Sequence, residues 1–390
     1  MAHQQQQEQE EPLIYNLPQD TLHQIFSSLP LQQIIICRSL SKFFNNLLTT
    51  PSFLHLISTT LPPLNLLALR HHNHYPPSST IHLFDPNLNH WLHFPLNFLP
   101  FSSPLPVASS HGLIYLWAQP INNSPVSSQA QAHTQTQATK SLIACNPLTR
   151  KFRILPHLGS AWCRHGSVIV DSVNRVMVLT ELAAFYFAGH GSSDDNDKIS
   201  SWQKFSSNLP SKPRSPVLIE DWAYALCEVG SPWRSQWKLF SCCFSATTSG
   251  KWSRIERQEW GDVFDILKRP RLVRGVGNRI LMIGGLKSSF SLNSPCSTIL
   301  ILRLDLGMME WDEAGRMPVE MFKCFQEAGK FKVFGAGDRV CFSAKRVGKL
   351  ALWDRGREKG DEWSWIDNVP GNGDGLYRGF VFEGRLDALP

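Results

Sequence analysis

Apolar residues between Leu17 and Leu48 recur at helical spacing. Pro18 falls where the first turn of a helix tolerates a proline. Pro30 lies inside the apolar pattern, where its missing N–H and its ring would break a helix. The pattern therefore predicts three short helices between Leu17 and Leu48, with Pro30 between the first and the second. Beyond Leu56 the helical period fades.

From Leu56 onward the chain repeats a segment in which a turn containing Asp or Asn precedes an aromatic residue. Six such segments align, and their aromatic residues are separated by 61, 50, 50, 59 and 52 positions. These residues are Trp91, Phe152, Trp202, Trp252, Trp311 and Trp363. Short strands repeating at roughly fifty residues are typical of a β-propeller, in which each sheet is buried against its neighbours. We predict a mainly β fold with about six blades, although five or seven would also fit the weakest repeats.

A second repeat marks turns that enter apolar runs. The segments "VNRVMVL", "GVGNRILMI" and "GAGDRVCFS" begin at Val173, Gly275 and Gly335. A glycine loop that binds nucleotide phosphates must open a helix, whereas strand-like runs follow here, so we expect hairpin turns. The C-terminal "YRGFVFEGRL" either ends the last blade or closes the ring, with a strand from residues 60–85 as its partner.

The composition favours a β-rich soluble protein, with 42% hydrophobic and 18% charged residues, 13 Trp, 25 Gly and 26 Pro. The first residues lack the order of a signal peptide, and no apolar run reaches the ~18 residues of a membrane span. We expect an intracellular protein, in the nucleus, the cytoplasm or both, without membrane contact. Residues 1–11 are predicted to be a disordered tail, and residues 121–139, rich in Ser, Gln, Ala and Thr, an inserted loop.

Charge and cysteine content indicate neither nucleic acid nor metal. The net charge of +6 is small for 390 residues and does not by itself indicate a nucleic-acid partner, and we expect none. Nine cysteines occur without a CxxC pair, so we expect reduced, mostly buried thiols. His71, His72 and His74 have no nearby carboxylate or cysteine in sequence and are predicted to lie in a solvated loop. No cofactor or metal is predicted.

The densest basic cluster comprises Lys268, Arg269, Arg271, Arg274 and Arg279. If side chains alternate from Arg269 to Val273, then Arg269, Arg271 and Val273 share one face of a strand. The cluster is either a charged blade edge that discourages sheet pairing or a docking site for an acidic or phosphorylated target.

The segment from Asn16 to Phe53 resembles an F-box. Phe44 stands where F-boxes usually have Trp, and Ser41 stands where Cys is frequent, and both are mild departures. The matching positions are Leu17, Pro18, Asp20, Leu22, Ile25, Leu29, Pro30, Arg38, Leu40, Lys42, Phe44, Leu48, Pro51 and Phe53. We assign residues 12–56 to this helical module.

Residues 57–390 resemble the kelch-type propellers of plant F-box proteins. The resemblance rests on "NPLTRKFRILP", "ILILRLDLGMMEWDEAGRMP" and "ILMIGGL", in which Gly284 and Gly285 match the double glycine of a kelch strand. The fold expected from the two resemblances together is a kelch-type β-propeller of about six blades, preceded by a small α-helical F-box module.

The resemblance implies a substrate-recognition subunit of an SCF-type cullin–RING ubiquitin ligase. In that role the F-box binds a Skp-family adaptor, and through it a cullin, while the propeller binds a target protein of unknown identity. The receptor itself is not an enzyme. Expecting three helices to be too small for a core of their own, we assign adaptor binding to Leu17, Pro18, Leu22, Ile25, Phe26, Leu29 and Pro30. The alternative is that these side chains pack the helices against the propeller.

Two other functions remain open at this point. A propeller can be a protein-interaction scaffold without any link to ubiquitin ligation. A kelch-fold copper oxidase would need Tyr, His and Cys ligands and usually has a secretory signal, and it would leave the F-box resemblance unexplained.

Overall fold

The structure, a computed structural model, describes residues 13–70, 80–121, 140–159, 166–171, 175–187, 201–230, 236–244, 251–289, 295–328, 330–356, 360–371 and 376–390. The predicted tail, the three clustered histidines and nearly all of the predicted inserted loop lie outside these residues. Within the described ranges, no helix is both long enough and apolar enough to span a membrane.

The N-terminal part is helical, as predicted. A 3-10 turn at Leu13–Asn16 leads into four helices, α1 (Gln19–Ser27), α2 (Leu31–Leu40), α3 (Lys42–Leu47) and α4 (Pro51–Thr60). The three helices predicted between Leu17 and Leu48 are α1 to α3, and Pro30 stands at the start of the second. Helix α4 extends beyond the boundary drawn at residue 56.

Sequence signals explain where the last two helices begin. The side-chain oxygen of Ser41 accepts a hydrogen bond from the backbone N–H of Phe44 at 3.2 Å and caps α3. Thr50 caps α4 in the same way, through the N–H of Phe53 at 3.4 Å, and Pro51 occupies the first turn. This capping threonine followed by proline is the signal that could have predicted α4.

In the rest of the described chain, six four-stranded antiparallel sheets each form one blade of a propeller. From the inner to the outer strand, blade 1 contains β24 (Arg378–Gly384), β1 (Leu64–Arg70), β2 (Thr80–Asp85) and β3 (His90–Pro95). Blade 2 contains β4 (Phe101–Ser110), β5 (Leu113–Pro120), β6 (Ser141–Asn146) and β7 (Lys151–Ile154), and blade 3 contains β8 (Ser167–Val170), β9 (Val176–Leu179), β10 (Ala183–Phe187) and β11 (Gln203–Ser206).

The remaining blades follow in chain order. Blade 4 contains β12 (Arg214–Ile219), β13 (Trp222–Glu228), β14 (Trp237–Cys243) and β15 (Ser253–Ile255). Blade 5 contains β16 (Leu267–Arg274), β17 (Arg279–Lys287), β18 (Cys296–Asp305) and β19 (Glu310–Arg316), and blade 6 contains β20 (Phe331–Ala336), β21 (Arg339–Ala344), β22 (Leu350–Gly356) and β23 (Gly360–Ile366). A further helix, α5 (Val319–Ala328), joins blade 5 to blade 6. The prediction of a six-bladed propeller is confirmed.

The C-terminal strand closes the ring. Strand β24 pairs along its whole length with β1, from Leu64 opposite Gly384 to Arg70 opposite Arg378. The first blade is therefore built from both ends of the propeller sequence, and the closing partner does come from the predicted stretch near residues 60–85. Apolar clusters fill the seams between neighbouring blades, including the seam between blades 6 and 1.

The aromatic repeat found in the sequence corresponds to the outer strand of successive blades. Trp91 lies in β3, and its indole N–H donates to the backbone oxygen of Asp367, beyond blade 6, at 3.1 Å. Trp202 lies just before β11 and donates to the backbone oxygen of Pro156, beyond blade 2, at 2.7 Å. Both side chains thus connect one blade to its neighbour.

Three inner strands share a bulge that the sequence analysis did not find. Ser103, Ser215 and Arg269 adopt positive φ angles of 53°, 46° and 53°, and each is followed by a proline. The pairing register of β4, β12 and β16 shifts at these points. Because proline cannot donate to the ladder, a bulge at the start of an inner strand is a site where it is tolerated.

The helices lie on one face of the propeller. Their apolar core includes Leu148, in the β6–β7 turn, and Leu386, which follows β24. In antiparallel blades, the turns after the first and third strands share one face, which we call the helix face. The opposite face, here the far face, carries the starts of the inner strands and helix α5.

Candidate functional site

The helical module is built around a hydrophobic core, which two residues of the propeller complete. Leu22 and Phe26 of α1 are 1% and 5% exposed and pack with Ile34, Leu48 and Phe53. As expected, the three predicted helices do not form a core alone, but a fourth helix and two propeller leucines complete one with them. Leu22 and Phe26 therefore lie in the core and not on a surface that a partner could contact.

The other five predicted adaptor-binding residues remain accessible. Leu17 and Ile25 are 40% and 44% exposed, Pro18 and Pro30 are exposed, and Leu29 is half-buried. Large apolar side chains that remain exposed on a folded module are available to pack against another protein. That these residues bind an adaptor stays a prediction.

The structure adds four exposed apolar residues that the sequence analysis did not assign to adaptor binding. Tyr15 and Phe43 are exposed and pack edge to face, with their ring centroids 4.8 Å apart. Ile36 and Leu40 are exposed on α2. Their signal in the sequence was the excess of apolar residues over the number that one helix face can bury. We call Tyr15, Leu17, Pro18, Ile25, Leu29, Pro30, Ile36, Leu40 and Phe43 the apolar helical surface.

Polar contacts attach the helices to blades 1 and 2. The side-chain amide of Gln32 donates to Asp85 Oδ2 at 2.8 Å. The second carboxylate oxygen of Asp85 accepts the N–H of Asn87 and orders the β2–β3 turn. Arg38 donates to the backbone oxygen of Leu148 at 3.4 Å. These contacts, with the shared apolar core, position the helices against the helix face.

A channel runs through the centre of the propeller and encloses a cavity of about 1200 Å³. Arg214 and Arg378 are the first residues of inner strands, and Arg70 is the last residue of β1, which runs antiparallel to β24. Lys332 is the second residue of β20, and Arg271, in the middle of β16, lies close enough to Arg214 and Arg378 to interact with their charges. All five cations therefore lie towards the far face, and together with Glu228 they form what we call the channel mouth.

The cations of the channel mouth lower one another's pKa. Burial, and after it the charges of Arg214, Arg378 and Arg269, lower the pKa of Arg271 to about 10. Burial and the neighbouring Arg378 lower the pKa of Arg70 to about 10. Among the described residues, Arg70, Arg271 and Arg378 form no ion pair. Uncompensated positive charge is therefore concentrated at this end of the channel.

Two further cations complete the channel mouth. Burial, followed by the charges of Arg271, Arg378 and Arg214, lowers the pKa of Lys332 to about 8. Burial lowers the pKa of Arg214, an effect that Glu228 opposes. The Arg214 guanidinium lies over the ring of Trp237 at 4.3 Å, and its Nη1 has no hydrogen-bond partner within the described part of the chain.

A second cavity, of about 790 Å³, adjoins the channel mouth between β16 and α5. Arg214, Trp237, Arg271 and Lys332 line both cavities, so the two lie side by side. We call this second cavity the side groove. It is lined by the aromatic rings of Phe322, Phe325 and Phe331 and by the cations Lys268, Arg269, Lys287 and Lys330.

The basic cluster predicted from the sequence is divided between two ends of one strand. Arg271 belongs to the channel mouth and Lys268 and Arg269 to the side groove. Arg274 and Arg279 lie at the opposite end, beside the β16–β17 turn, where Arg279 pairs with Asp305 at 3.4 Å. The assumed alternation is wrong, because the bulge at Arg269 shifts the register before Arg271. Strand β16 is the inner edge strand of the blade 5 sheet, so the interpretation of the cluster as a charged blade edge stays a prediction.

The remaining cations of the channel mouth were missed because no two of them belong to one sequence motif. Arg70, Arg214, Lys332 and Arg378 come from blades 1, 4 and 6 and are brought together by ring closure. The signal available in the sequence was that each of these cations lies at or next to the end of a predicted strand. Knowing which strand ends share the far face would have required the blade order. In the described ranges, no three His, Cys, Asp or Glu side chains group as metal ligands.

Comparisons with known proteins identify the family. A family model for the F-box domain matches residues 14–56. Over 389 residues the chain is 59% identical to SKP1-interacting partner 15 of Arabidopsis thaliana, covering 96% of this chain and 98% of that protein. The chain belongs to the F-box protein family.

More distant similarities agree with the propeller. The F-box protein is 25% identical over 370 residues to an F-box/kelch-repeat protein of Arabidopsis thaliana, covering 91% of this chain and 82% of the relative. A solved structure assigned as a 6-phosphogluconolactonase from Bacteroides fragilis covers 82% of this chain and 99% of its own, with 10% identity and a TM-score of 0.41. At that score the likeness carries no argument, and the agreement with a propeller rests on the kelch-repeat relative alone.

The F-box match maps onto a defined part of the structure. Residues 14–56 run from the 3-10 turn into α4 and include the whole apolar helical surface. The two glycine segments at Gly275 and Gly335 lie elsewhere, in hairpin turns of the propeller. The N–H of Gly275 donates to the backbone oxygen of Arg279 at 2.8 Å, closing the β16–β17 turn. These turns lead into strands and not into helices, as predicted.

Proposed function

We propose that this F-box protein is the substrate-recognition subunit of an SCF-type ubiquitin ligase. The apolar helical surface binds a Skp-family adaptor, and through it a cullin, while the propeller binds a target protein. The observation that carries the proposal is an F-box whose outward side chains stay exposed although the hydrophobic core beneath them is complete. The name of the 59% identical relative, SKP1-interacting partner 15, supports the same partner.

The physics of the apolar helical surface suits protein binding. Burying a large apolar side chain stabilises a contact by ~1.5–3 kcal/mol when it goes from full exposure to full burial. Leu17, Ile25 and Leu40 are 40%, 44% and 66% exposed, so each has apolar area left to bury. A few such residues at the centre of an interface can supply most of its affinity.

In this role the chain binds and positions its partners, and the transfer chemistry belongs to other subunits. The buried thiols support a structural role, because burial raises the pKa of Cys145 to about 12 and also raises that of Cys341. A thiol with a raised pKa is a poor nucleophile. We place the protein in the nucleus, the cytoplasm or both, as expected for a ligase subunit.

The proposal can be tested by co-purification of the full chain with a Skp-family adaptor and a cullin. A Leu17→Ala/Ile25→Ala double variant should bind the adaptor at least about tenfold more weakly, because two exposed anchors are truncated. Leu182→Ala is a matched control, since Leu182 is 71% exposed on a propeller turn and lies outside the F-box.

Two outcomes would contradict the proposal. A folded full chain that binds no adaptor would favour the second candidate, a propeller scaffold without ligase function. Adaptor binding that survives in the double variant would show that the contact lies outside the apolar helical surface. The observation that favours the scaffold is only that the propeller forms a closed ring with its own seams, independent of the helices.

A further inference from the structure

The channel mouth is an assembled cationic site. Arg70 and Arg378 face each other in register on β1 and β24, and Arg271 responds electrostatically to both Arg378 and Arg214. Lys332 responds to Arg271, Arg378 and Arg214. Five cations thus surround one opening, and Glu228 is the acidic side chain that faces Arg214.

Such an arrangement destabilises the free protein. Like charges that are partly removed from water repel one another, which is why burial and neighbouring cations depress the pKa of Arg271 and Lys332. An anion bound between them would relieve this repulsion and would be held by charge-assisted hydrogen bonds. Binding to the folded state alone would also stabilise the fold.

The side groove indicates what kind of molecule carries the anion. It adjoins the channel mouth at Trp237 and is lined by Phe322, Phe325 and Phe331, of which Phe331 is half-buried and the other two present only an edge. A small inorganic anion or a compact polyphosphate would have no apolar part to place there. A peptide has side chains of both kinds, and it would run from the cationic opening into the aromatic groove.

We propose that the channel mouth binds the phosphate of a phosphorylated protein segment, and that the side groove holds apolar side chains next to the phosphorylated residue. A phosphate ester carries about two negative charges and three acceptor oxygens, whereas a carboxylate carries one charge, so phosphate matches several converging cations better. The role of this segment as a ligase target rests on the proposed function, but its binding does not.

Binding can be measured on the full chain with a peptide pool. The pool has a central phosphoserine and randomised flanking positions, and two matched pools carry serine or glutamate at the centre. The phosphoserine pool should bind about 10- to 100-fold more tightly than the serine pool, the range expected from charged hydrogen bonds. Sequencing the bound peptides should show enrichment of apolar residues near the phosphoserine.

Three results of this measurement would overturn the proposal. Equal binding of the phosphoserine and serine pools would remove the phosphate requirement. Binding of the glutamate pool as tight as that of the phosphoserine pool would assign the site to acidic segments. Inositol hexakisphosphate that binds when no phosphopeptide does would assign it to a compact polyphosphate.

Variants of the channel mouth separate binding from folding. Arg271→Met should weaken phosphopeptide binding about 10- to 100-fold and, by removing repulsion, raise the Tm of the free protein. Arg316→Met is the control, because Arg316 pairs with Glu313 on the outer strand of the same blade and loses the same charge. Unchanged phosphopeptide binding in Arg271→Met would refute the proposal, and a lowered Tm would give Arg271 a structural role instead.

The failure of this inference can be distinguished from failure of the proposed function. Arg271→Met should keep adaptor binding, and Leu17→Ala/Ile25→Ala should keep phosphopeptide binding, since the two surfaces lie on opposite faces. Loss of adaptor binding alone would refute the ligase assignment and leave the phosphate site. Absence of phosphopeptide binding alone would refute the phosphate site and leave the ligase assignment.

Discussion

The apolar helical surface and the channel mouth differ in both chemistry and origin. The first contains exposed leucine, isoleucine and aromatic side chains from fewer than thirty consecutive positions, between Tyr15 and Phe43. The second is built from cations on strands at both ends and in the middle of the propeller sequence, from Arg70 to Arg378. One surface is therefore a local motif and the other exists only after the ring has closed.

This difference determines how each surface responds to conditions. Burial of apolar area is non-directional and depends little on salt, whereas attraction between charges weakens as ionic strength and screening increase. Adaptor binding should therefore persist in salt that weakens phosphopeptide binding. The two surfaces should also tolerate different mutations, because the core under the helices is formed mostly by the helices themselves, while the channel mouth depends on the geometry of the closed ring.

The largest expected effect comes from truncating the helical core. Phe53 is fully buried among Leu22, Ile34 and Leu48, so Phe53→Ala should destabilise the helical module by about 3–5 kcal/mol. Adaptor co-purification should be lost, while phosphopeptide binding at the channel mouth should remain. Hydrogen exchange on the full chain would locate the loss of protection in α1 to α4. Equal loss of protection in the blades would show that the two regions fold as one unit.

Ring closure offers the opposite test. A Cβ at Gly379 would lie 2.2 Å from the backbone oxygen of Ala68 and 2.6 Å from the ring of Phe334, so Gly379→Ala must displace β24 beside Arg378. We expect a cost of about 1–3 kcal/mol from overpacking and weakened phosphopeptide binding, with adaptor binding kept.

The control for this substitution lies in the neighbouring blade. A Cβ at Gly356 meets no atom within 4 Å, so Gly356→Ala should leave thermal unfolding and both binding activities unchanged. A similar loss in both glycine variants would indicate a general effect of alanine in strands and would remove the argument from the closing strand.

The two regions also show how much a sequence can predict. The helical module was predicted because its helices, its proline break and its exposed positions follow one another along the chain. The propeller was predicted because an aromatic residue recurs in or beside the outer strand of every blade, from Trp91 to Trp363. One pattern is contiguous along the chain and the other is periodic, so both can be recognised from the sequence alone.

What could not be predicted depends on contacts between distant residues. The burial of Leu22 and Phe26 follows from a fourth helix and from Leu148 and Leu386, which lie 126 and 364 positions beyond Leu22 in the chain. The division of the basic cluster follows from a bulge at Arg269 that alternation alone does not reveal. The channel mouth follows from the order of blades around a ring.

A smaller effect is expected from the titration of Lys332. Its pKa is lowered to about 8, and the groups that face it are Arg271, Arg378, Arg214 and Lys330. Phosphopeptide affinity should fall as pH rises through about 8, because the anion needs the protonated lysine. Lys332→Arg should move this fall to higher pH, and fluorescence anisotropy at several pH values would measure it. An unchanged pH profile in that variant would show that another group is responsible.

The same lysine should affect stability with the opposite sign. In the unfolded chain a lysine keeps its proton until about pH 10. Between pH 8 and that value, the folded free protein therefore binds fewer protons than the unfolded chain, so its stability contribution rises with pH. Thermal unfolding of the free protein should show this rise, and saturating phosphopeptide should reduce it, because the bound anion favours the protonated form.

The smallest effect concerns the polar contact between the two regions. Gln32→Ala removes the hydrogen bond from Gln32 to Asp85, while Asp85 keeps the N–H of Asn87, so the expected loss is about 0.5–1.5 kcal/mol. Both binding activities should remain, because neither surface contains this pair. A double-mutant cycle with Asp85→Asn and thermal unfolding would isolate the interaction. A much larger loss, accompanied by loss of adaptor binding, would mean that the apolar helical surface is held in shape by the propeller and is not a self-contained module.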